Sequence, residues 1–154
     1  WKLKSLNYYA RFIELAGDIN SHMPEYVVER ITKTLNDRQK SLKGARILVL
    51  GVAYKKDIQD LRESPALDVL KLLDKSKAIV AYNDPHVPKV KLDDLNMRSV
   101  PLTPDRVKKA DLVVILTNHS AYDYPALAAQ ARLIFDTRNA MGNLSKKFKN
   151  IVKL

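Results

Sequence analysis

Apolar positions along this chain recur first at helical spacing and later as short unbroken runs. Phe12, Ala16, Ile19, Met23, Val27, Ile31 and Leu35 fall three or four residues apart, with Leu15 and Val28 beside them. The stripe predicts a helix over residues 12–35. Pro24 lies inside it. Either the helix ends near Ser21 and another begins there, with Pro24 in its first turn, or one helix runs on through a proline kink. The stripe keeps its phase across Pro24, which favours the single kinked helix. A helix of this length exceeds a small domain, so it is expected to pack on something outside this sequence, a neighbouring domain or a partner subunit. Glu14, Asp18 and Glu25 read as its wet face. Residues 36–44, NDRQKSLKG, are polar, end in glycine and read as a connecting loop.

Beyond Leu42 the pattern alternates. Ile47–Val52 reads as a strand, and Ser64 as the cap of a helix with Pro65 at its first position and Ala66, Val69, Leu70 and Leu73 facing inward. Ala78–Tyr82 is a second strand, closed by Asn83-Asp84-Pro85. Val87 to Asn96 is looser, with Met97–Val100 as a short strand. Thr103 caps a short helix opened by Pro104, with Val107 and Ala110 on its inner face. Leu112–Leu116 is a buried strand, Tyr124–Ala131 a helix, Leu133–Phe135 a strand and Ile151–Leu154 an edge strand. Short, all-apolar strands alternating with helices predict an α/β domain, a parallel sheet covered on both faces. Two pieces result: residues 1–41, a helical leader and linker, and residues 42–154, the α/β domain.

Ligands of such sheets bind at the carboxyl ends of the strands. Polar residues gather at four such ends: residues 51–62, Asn83-Asp84, residues 117–119 and residues 136–138. The first holds Lys55, Lys56 and Arg62 between a strand and a helix start, an arrangement suited to an anion through mobile or forked cations and a helix N-terminus. A dinucleotide loop would read G-x-G-x-x-G, and only Gly51 is present, so recognition rests on side-chain cations rather than on backbone amides. Asp84 could bond a ribose hydroxyl or hold the turn before Pro85, and the turn role is preferred. His119 ends a strand. His22 and His86 lie far from it and no pair has metal-ligand spacing, so satisfied or exposed histidines and no metal are expected. No serine sits in a nucleophile elbow, and no acid/base pair is visible.

Composition changes little. The 154 residues carry 46% hydrophobic and 29% charged residues, ordinary for a globular domain. No apolar run approaches the roughly 18 residues of a membrane span and no secretory signal opens the chain, so no membrane partner is expected. The absence of cysteine removes disulfides and is compatible with the cytosol. A net charge of +10 invites a nucleic-acid reading. The lysines are scattered, and few aromatics are interleaved with them, so a solvated surface is preferred to nucleic-acid binding. A start at Trp1 suggests a piece of a longer protein.

The runs ILVLGVAYKKDIQDLRESPALDVLKLL, YNDPHVP, ADLVVILTNHSAYDY and IFDTRNAM, in this order and spacing, resemble the C-terminal UDP-binding domain of the UDP-glucose/GDP-mannose dehydrogenase family. The run RFIELAGDINSHMPEYVVERI resembles the end of that family's central dimerisation domain. The resemblance covers nearly the whole chain. It implies a Rossmann-like three-layer domain after a long helix, a homodimer formed through the helix of Phe12–Leu35, and NAD as cofactor. It further implies a UDP-sugar substrate oxidised at C6 to the uronate with two NAD per turnover, UDP-N-acetylglucosamine or UDP-N-acetylmannosamine before UDP-glucose. The NAD-binding N-terminal domain and the catalytic cysteine would lie upstream of Trp1, leaving no catalytic residue in this piece, which alone would be inactive. By the same resemblance Tyr54, Lys55 and Arg138 would contact the nucleotide sugar, and Arg62 would reach NAD. The alternative role for Arg62 is an ion pair with Asp60 or Glu63 that shapes the loop.

Overall fold

A computed structural model describes residues 11–92 and 95–154. Helix α1 spans Arg11–Asn36, β1 Arg46–Leu50, α2 Pro65–Lys75, β2 Ile79–Asn83, β3 Lys89–Leu92, β4 Leu95–Arg98, α3 Pro104–Lys109, β5 Leu112–Ile115, α4 Tyr124–Gln130, β6 Ile134–Asp136, α5 Leu144–Lys147 and β7 Ile151–Lys153. Five strands form one parallel sheet in the order β2-β1-β5-β6-β7. The remaining two, β3 and β4, pair antiparallel as a hairpin, with Val90 opposite Met97 and Leu92 opposite Leu95.

The all-apolar strands predict two covered faces, and both are filled. On one, Ile47, Val49, Leu112, Val114 and Phe135 meet Val69, Leu70 and Leu73 of α2 and Val27, Ile31 and Leu35 of α1. On the other, Leu48, Leu50, Val113, Ile115 and Ile134 meet Val107 near the end of α3 and Leu127 and Ala128 of α4. This is the α/β three-layer, Rossmann-like arrangement expected from the sequence. The Thr103 hydroxyl accepts from Arg106 N at 3.3 Å, and the Asp123 carboxylate accepts from Ala126 N at 3.0 Å, so α3 and α4 begin where their caps stand.

Three expectations need correcting. Helix α1 is one helix through Pro24, but its second half packs inside this chain: Val27, Ile31 and Leu35 are buried, each worth about 2 kcal/mol of apolar burial. Only its first half, with Phe12, Ile13, Leu15 and Ile19 exposed, lacks a covering layer among the described residues. The stretch after Val87 is a hairpin rather than a loose segment, because Lys-Val-Lys-Leu alternates and puts Val90 fully into the core. Ser64 stands at the cap position of α2, yet its hydroxyl donates to Val52 O at 2.8 Å and ties the helix start to the end of β1. Among the described residues, no helix is long and apolar enough to cross a membrane.

Candidate functional site

The sheet changes direction between β1 and β5. The chain leaves β1 through α2 toward β2, and leaves β5 through α4 toward β6, so the strand order reverses between them. A crevice at this point is the expected ligand position in an open parallel sheet. A cleft of about 470 Å³ lies there, walled by Tyr54 after β1, Ala66 and Val69 of α2, Leu116 after β5, Thr137 and Arg138 after β6, and Pro24 and Val27 of α1. A polar recess of about 510 Å³ shares Thr137 and Arg138 with it and adds Asn118, Asn139 and Lys153. The site therefore joins a half-apolar slot, where a flat ring could lie, to a cationic recess. The start of α2 contributes little to an anion. Its first residue is Pro65, which has no N–H, and Glu63 stands beside it on the cleft wall.

Buried aspartates at two strand ends shape the loops. At the end of β2, Asp84 is fully enclosed. Its Oδ2 accepts from Val52 N at 2.7 Å, Ala53 N at 3.0 Å and His119 Nε2 at 3.0 Å, and its Oδ1 accepts from His86 N at 2.8 Å and Val87 N at 3.1 Å. All five partners are donors, so only a carboxylate matches them. The turn role preferred for Asp84 is present, and the same side chain also fixes the start of the loop after β1. A ribose would find no free lone pair there. At the end of β6, Asp136 accepts from Arg138 N at 3.0 Å, Ala140 N at 3.1 Å and Met141 N at 2.8 Å, which sets the backbone that carries Arg138.

The loop after β1 folds back on itself, with Tyr54 N donating to Asp60 O at 2.7 Å, and Thr117 Oγ1 donates to Ala53 O at 2.6 Å. Its far side is held by Asp57, whose carboxylate accepts from Ser120 N and Ser120 Oγ, both at 2.7 Å. Those two bonds, the backbone one first, hold the Asp57 carboxyl below the usual carboxylate range. Asp57 N donates to His119 Nδ1 at 2.9 Å. Sequence separation hid this cluster. His86 and His119 come together with ring centroids 4.8 Å apart, and Asp57 joins them. It is nonetheless a poor metal centre: His119 Nδ1 is occupied by an N–H, its Nε2 carries the proton shared with Asp84, and only His86 and Asp57 keep free lone pairs. His22 is exposed on α1, with Nδ1 against Asp18 O.

Of the residues singled out from the sequence, Tyr54 and Arg138 share the cleft. Among the described residues, the Arg138 guanidinium forms no ion pair. Lys55 lies over the Tyr54 ring, Nζ 5.5 Å from its centroid, at cation–π distance rather than in the cleft wall. Arg62 points to neither. Its Nε and Nη2 fork onto Asp60 at 3.0 and 2.9 Å, the loop-shaping ion pair weighed as its alternative role, and its side chain is 88% exposed. The fork holds Asp60 down to about 2. His119, Asp57 and Ser120 were missed as a cluster; the only local signal was a histidine at a strand end.

The comparisons with known proteins bear on this geometry. Residues 48–143 match the family model described as "UDP-glucose/GDP-mannose dehydrogenase family, UDP binding domain", which spans the cleft from β1 to the loop after β6. The chain belongs to that family. A UDP-N-acetyl-D-mannosamine dehydrogenase of Campylobacter jejuni is 34% identical over 116 residues, covering 73% of this chain and 28% of its own length. One from Methanococcus maripaludis is 29% identical over 163 residues, covering 100% of this chain and 36% of its own. Among solved structures, the UDP-D-ManNAc dehydrogenase of Pyrococcus horikoshii superposes with a TM-score of 0.72 at 27% identity, covering 90% of this chain and 32% of that one. The chain thus spans about a third of the length of the relatives it matches. The residues matched run from β1 to the loop after β6 and so include Tyr54, Lys55, Arg62 and Arg138.

Proposed function

We propose that this chain is the UDP-binding part of an NAD-dependent UDP-sugar 6-dehydrogenase acting on UDP-N-acetyl-D-mannosamine or its N-acetylglucosamine counterpart. The observation that carries the reading is the switch-point cleft, in which Tyr54 and Arg138 face one space while a cationic recess opens beside it. The names of the relatives supply the N-acetylmannosamine reading. In this reading the Tyr54 ring packs against the nucleotide and Arg138 lays its planar fork on the diphosphate. Lys55 adds a point charge by swinging off the Tyr54 ring. The missing upstream domain would carry NAD, which takes up hydride from the sugar C6, and Arg62 would leave Asp60 to reach its phosphates. No residue of this chain acts on C6, so residues 42–154 bind and orient while residues 1–41 connect to the rest of the enzyme.

Thermal unfolding with UDP tests the site. UDP at a hundredfold excess over Kd adds about 2.7 kcal/mol, a rise of roughly 5–11 °C for a chain of this size. Arg138→Ala should abolish most of that rise while leaving the ligand-free midpoint within about 1 °C, since Arg138 is exposed. No shift at millimolar UDP would overturn the assignment.

The uncovered first half of α1 carries the partner proposal. Phe12 and Ile13 are 89% and 67% exposed, and such side chains on one helix end ask for a cover. A second copy of the chain supplies it in this reading. Light scattering should give a dimer mass that Phe12→Glu with Ile19→Glu reduces to a monomer; an unchanged mass sinks the proposal.

A further inference from the structure

We infer that His119, fixed as the tautomer protonated at Nε2, is a positioning residue for the ligand loop that runs from Tyr54 to Arg62. The inference rests on the UDP-site reading above. His119 is fully buried and lies between two partners of opposite demand. On one side Asp57 N–H can only donate, so Nδ1 must accept it at 2.9 Å. On the other side the Asp84 carboxylate takes four backbone N–H groups and can only accept, so Nε2 must carry the proton at 3.0 Å. The two partners leave one tautomer. The bond to Asp84 selects which ring nitrogen accepts, and the accepting Nδ1 holds the middle of a loop whose side chains are exposed.

The loop needs that brace. Asp57 sits at φ +59°, in the left-handed region that few residues other than glycine, asparagine and aspartate adopt. Tyr54, Lys55, Lys56 and Asp57 are all exposed, so packing does little to hold them. What holds them is a short chain of polar bonds: Ala53 to Asp84 and Thr117, Asp57 to His119, and Asp57 to Ser120. The His119 bond is the one that ties the turn at Asp57 to the buried interior. The ring itself is fixed by His86 at 4.8 Å and by the edge of Tyr122 at 5.8 Å between centroids. Loss of the Nδ1 acceptor would free the turn at Asp57, three residues beyond Tyr54, and with it the wall that Tyr54 gives the cleft.

Two substitutions separate this role from general support. His119→Asn places an amide oxygen where Nδ1 stands and gives up the bond to Asp84. His119→Gln places an amide near Nε2, keeps a donor for Asp84 and gives up the acceptor for Asp57. UDP affinity by calorimetry and amide exchange at Asp57, both on this chain, are the readouts. The inference expects His119→Gln to lose the protection of the Asp57 amide and to bind UDP about tenfold more weakly, the scale of one hydrogen bond lost. It expects His119→Asn to keep Asp57 protected and to bind UDP within about twofold of the parent, whatever its melting temperature. Equal losses in both variants would show mere structural support and overturn the inference, as would no loss in either. If the parent chain fails to bind UDP, the site reading falls by itself. The brace is then decided by exchange alone: Asp57 protected in the parent and His119→Asn but not in His119→Gln sustains it, and any other pattern overturns it.

Discussion

Replacing Asp84 by asparagine is expected to remove about 4 kcal/mol of stability and lower the melting midpoint by roughly 8–16 °C. The change is nearly isosteric, so packing does not cause the loss. It comes from donor count. The carboxylate accepts five N–H groups with no solvent in reach, three on Oδ2 and two on Oδ1. An amide has one oxygen, and its NH₂ must face one of the two sets. If it faces the Oδ1 set, the backbone N–H groups of His86 and Val87 lose their acceptor and meet another donor. If it faces the other, Val52, Ala53 and His119 do. Each orphaned buried donor costs about 1–3 kcal/mol, and no rotation of the amide satisfies both sets. Asp74→Asn on the exposed side of α2 is the control and should stay within about 0.5 kcal/mol. Thermal unfolding of both variants checks the difference. A midpoint for Asp84→Asn within 3 °C of the parent would mean that the five bonds are not what holds the strand ends together. UDP binding should weaken along with stability, because Val52 and Ala53 open the loop that carries Tyr54.

Asp84 also shows what a sequence can and cannot disclose. Its place at the end of a strand and before a proline was legible, and so was its turn role, because an aspartate bonds the backbone two residues on. The other three bonds cross 31 to 35 positions of sequence and depend on which strand lies beside which. The parallel sheet followed from unbroken apolar runs such as Leu112–Ile115, where burial on both faces removes the alternation of a half-exposed strand. Strand β3 carries the opposite signal, alternation at Lys89–Leu92, in a run of only four residues beside lysines, and reads as a loose stretch, while β4 at Leu95–Arg98 is legible only as a short strand set two residues late, at Met97–Val100. Helix α1 was legible in extent because its stripe persists through Pro24. Its division into a packed half and an uncovered half was not, since periodicity tells which face is apolar and nothing about what meets it. In the site, Tyr54 and Arg138 were placed by resemblance and meet at one cleft. The cluster of His119, Asp57 and Ser120 needed the β1 and β5 loops to be brought side by side.

That adjacency sets the second large effect: Gly51→Ala is expected to cost at least about 4 kcal/mol and to lower the melting midpoint by roughly 8–16 °C or more. Two causes add. Gly51 has φ +76°, where a side chain costs about 1–2 kcal/mol. In addition, an alanine Cβ there would stand 2.3 Å from Thr117 O and 2.6 Å from Thr117 Cβ, far inside contact distance. Thr117 has no room to retreat. Its N–H donates to Leu50 O, its carbonyl accepts from His119 N, and its hydroxyl donates to Ala53 O at 2.6 Å. Moving it would disturb both loops, which are bonded side by side at the ends of β1 and β5. The requirement for glycine is therefore set by the close crossing of two loops at the point where the sheet reverses. Gly17→Ala gives the contrast. Gly17 lies in helix α1 with open space around its Cβ position, so alanine there should gain roughly 0.5–1 kcal/mol through helix propensity. Denaturant unfolding of the two variants should thus move the midpoint in opposite directions. A Gly51→Ala midpoint close to that of the parent would show that the β1 and β5 loops can separate without loss, and that their close crossing is not what requires glycine.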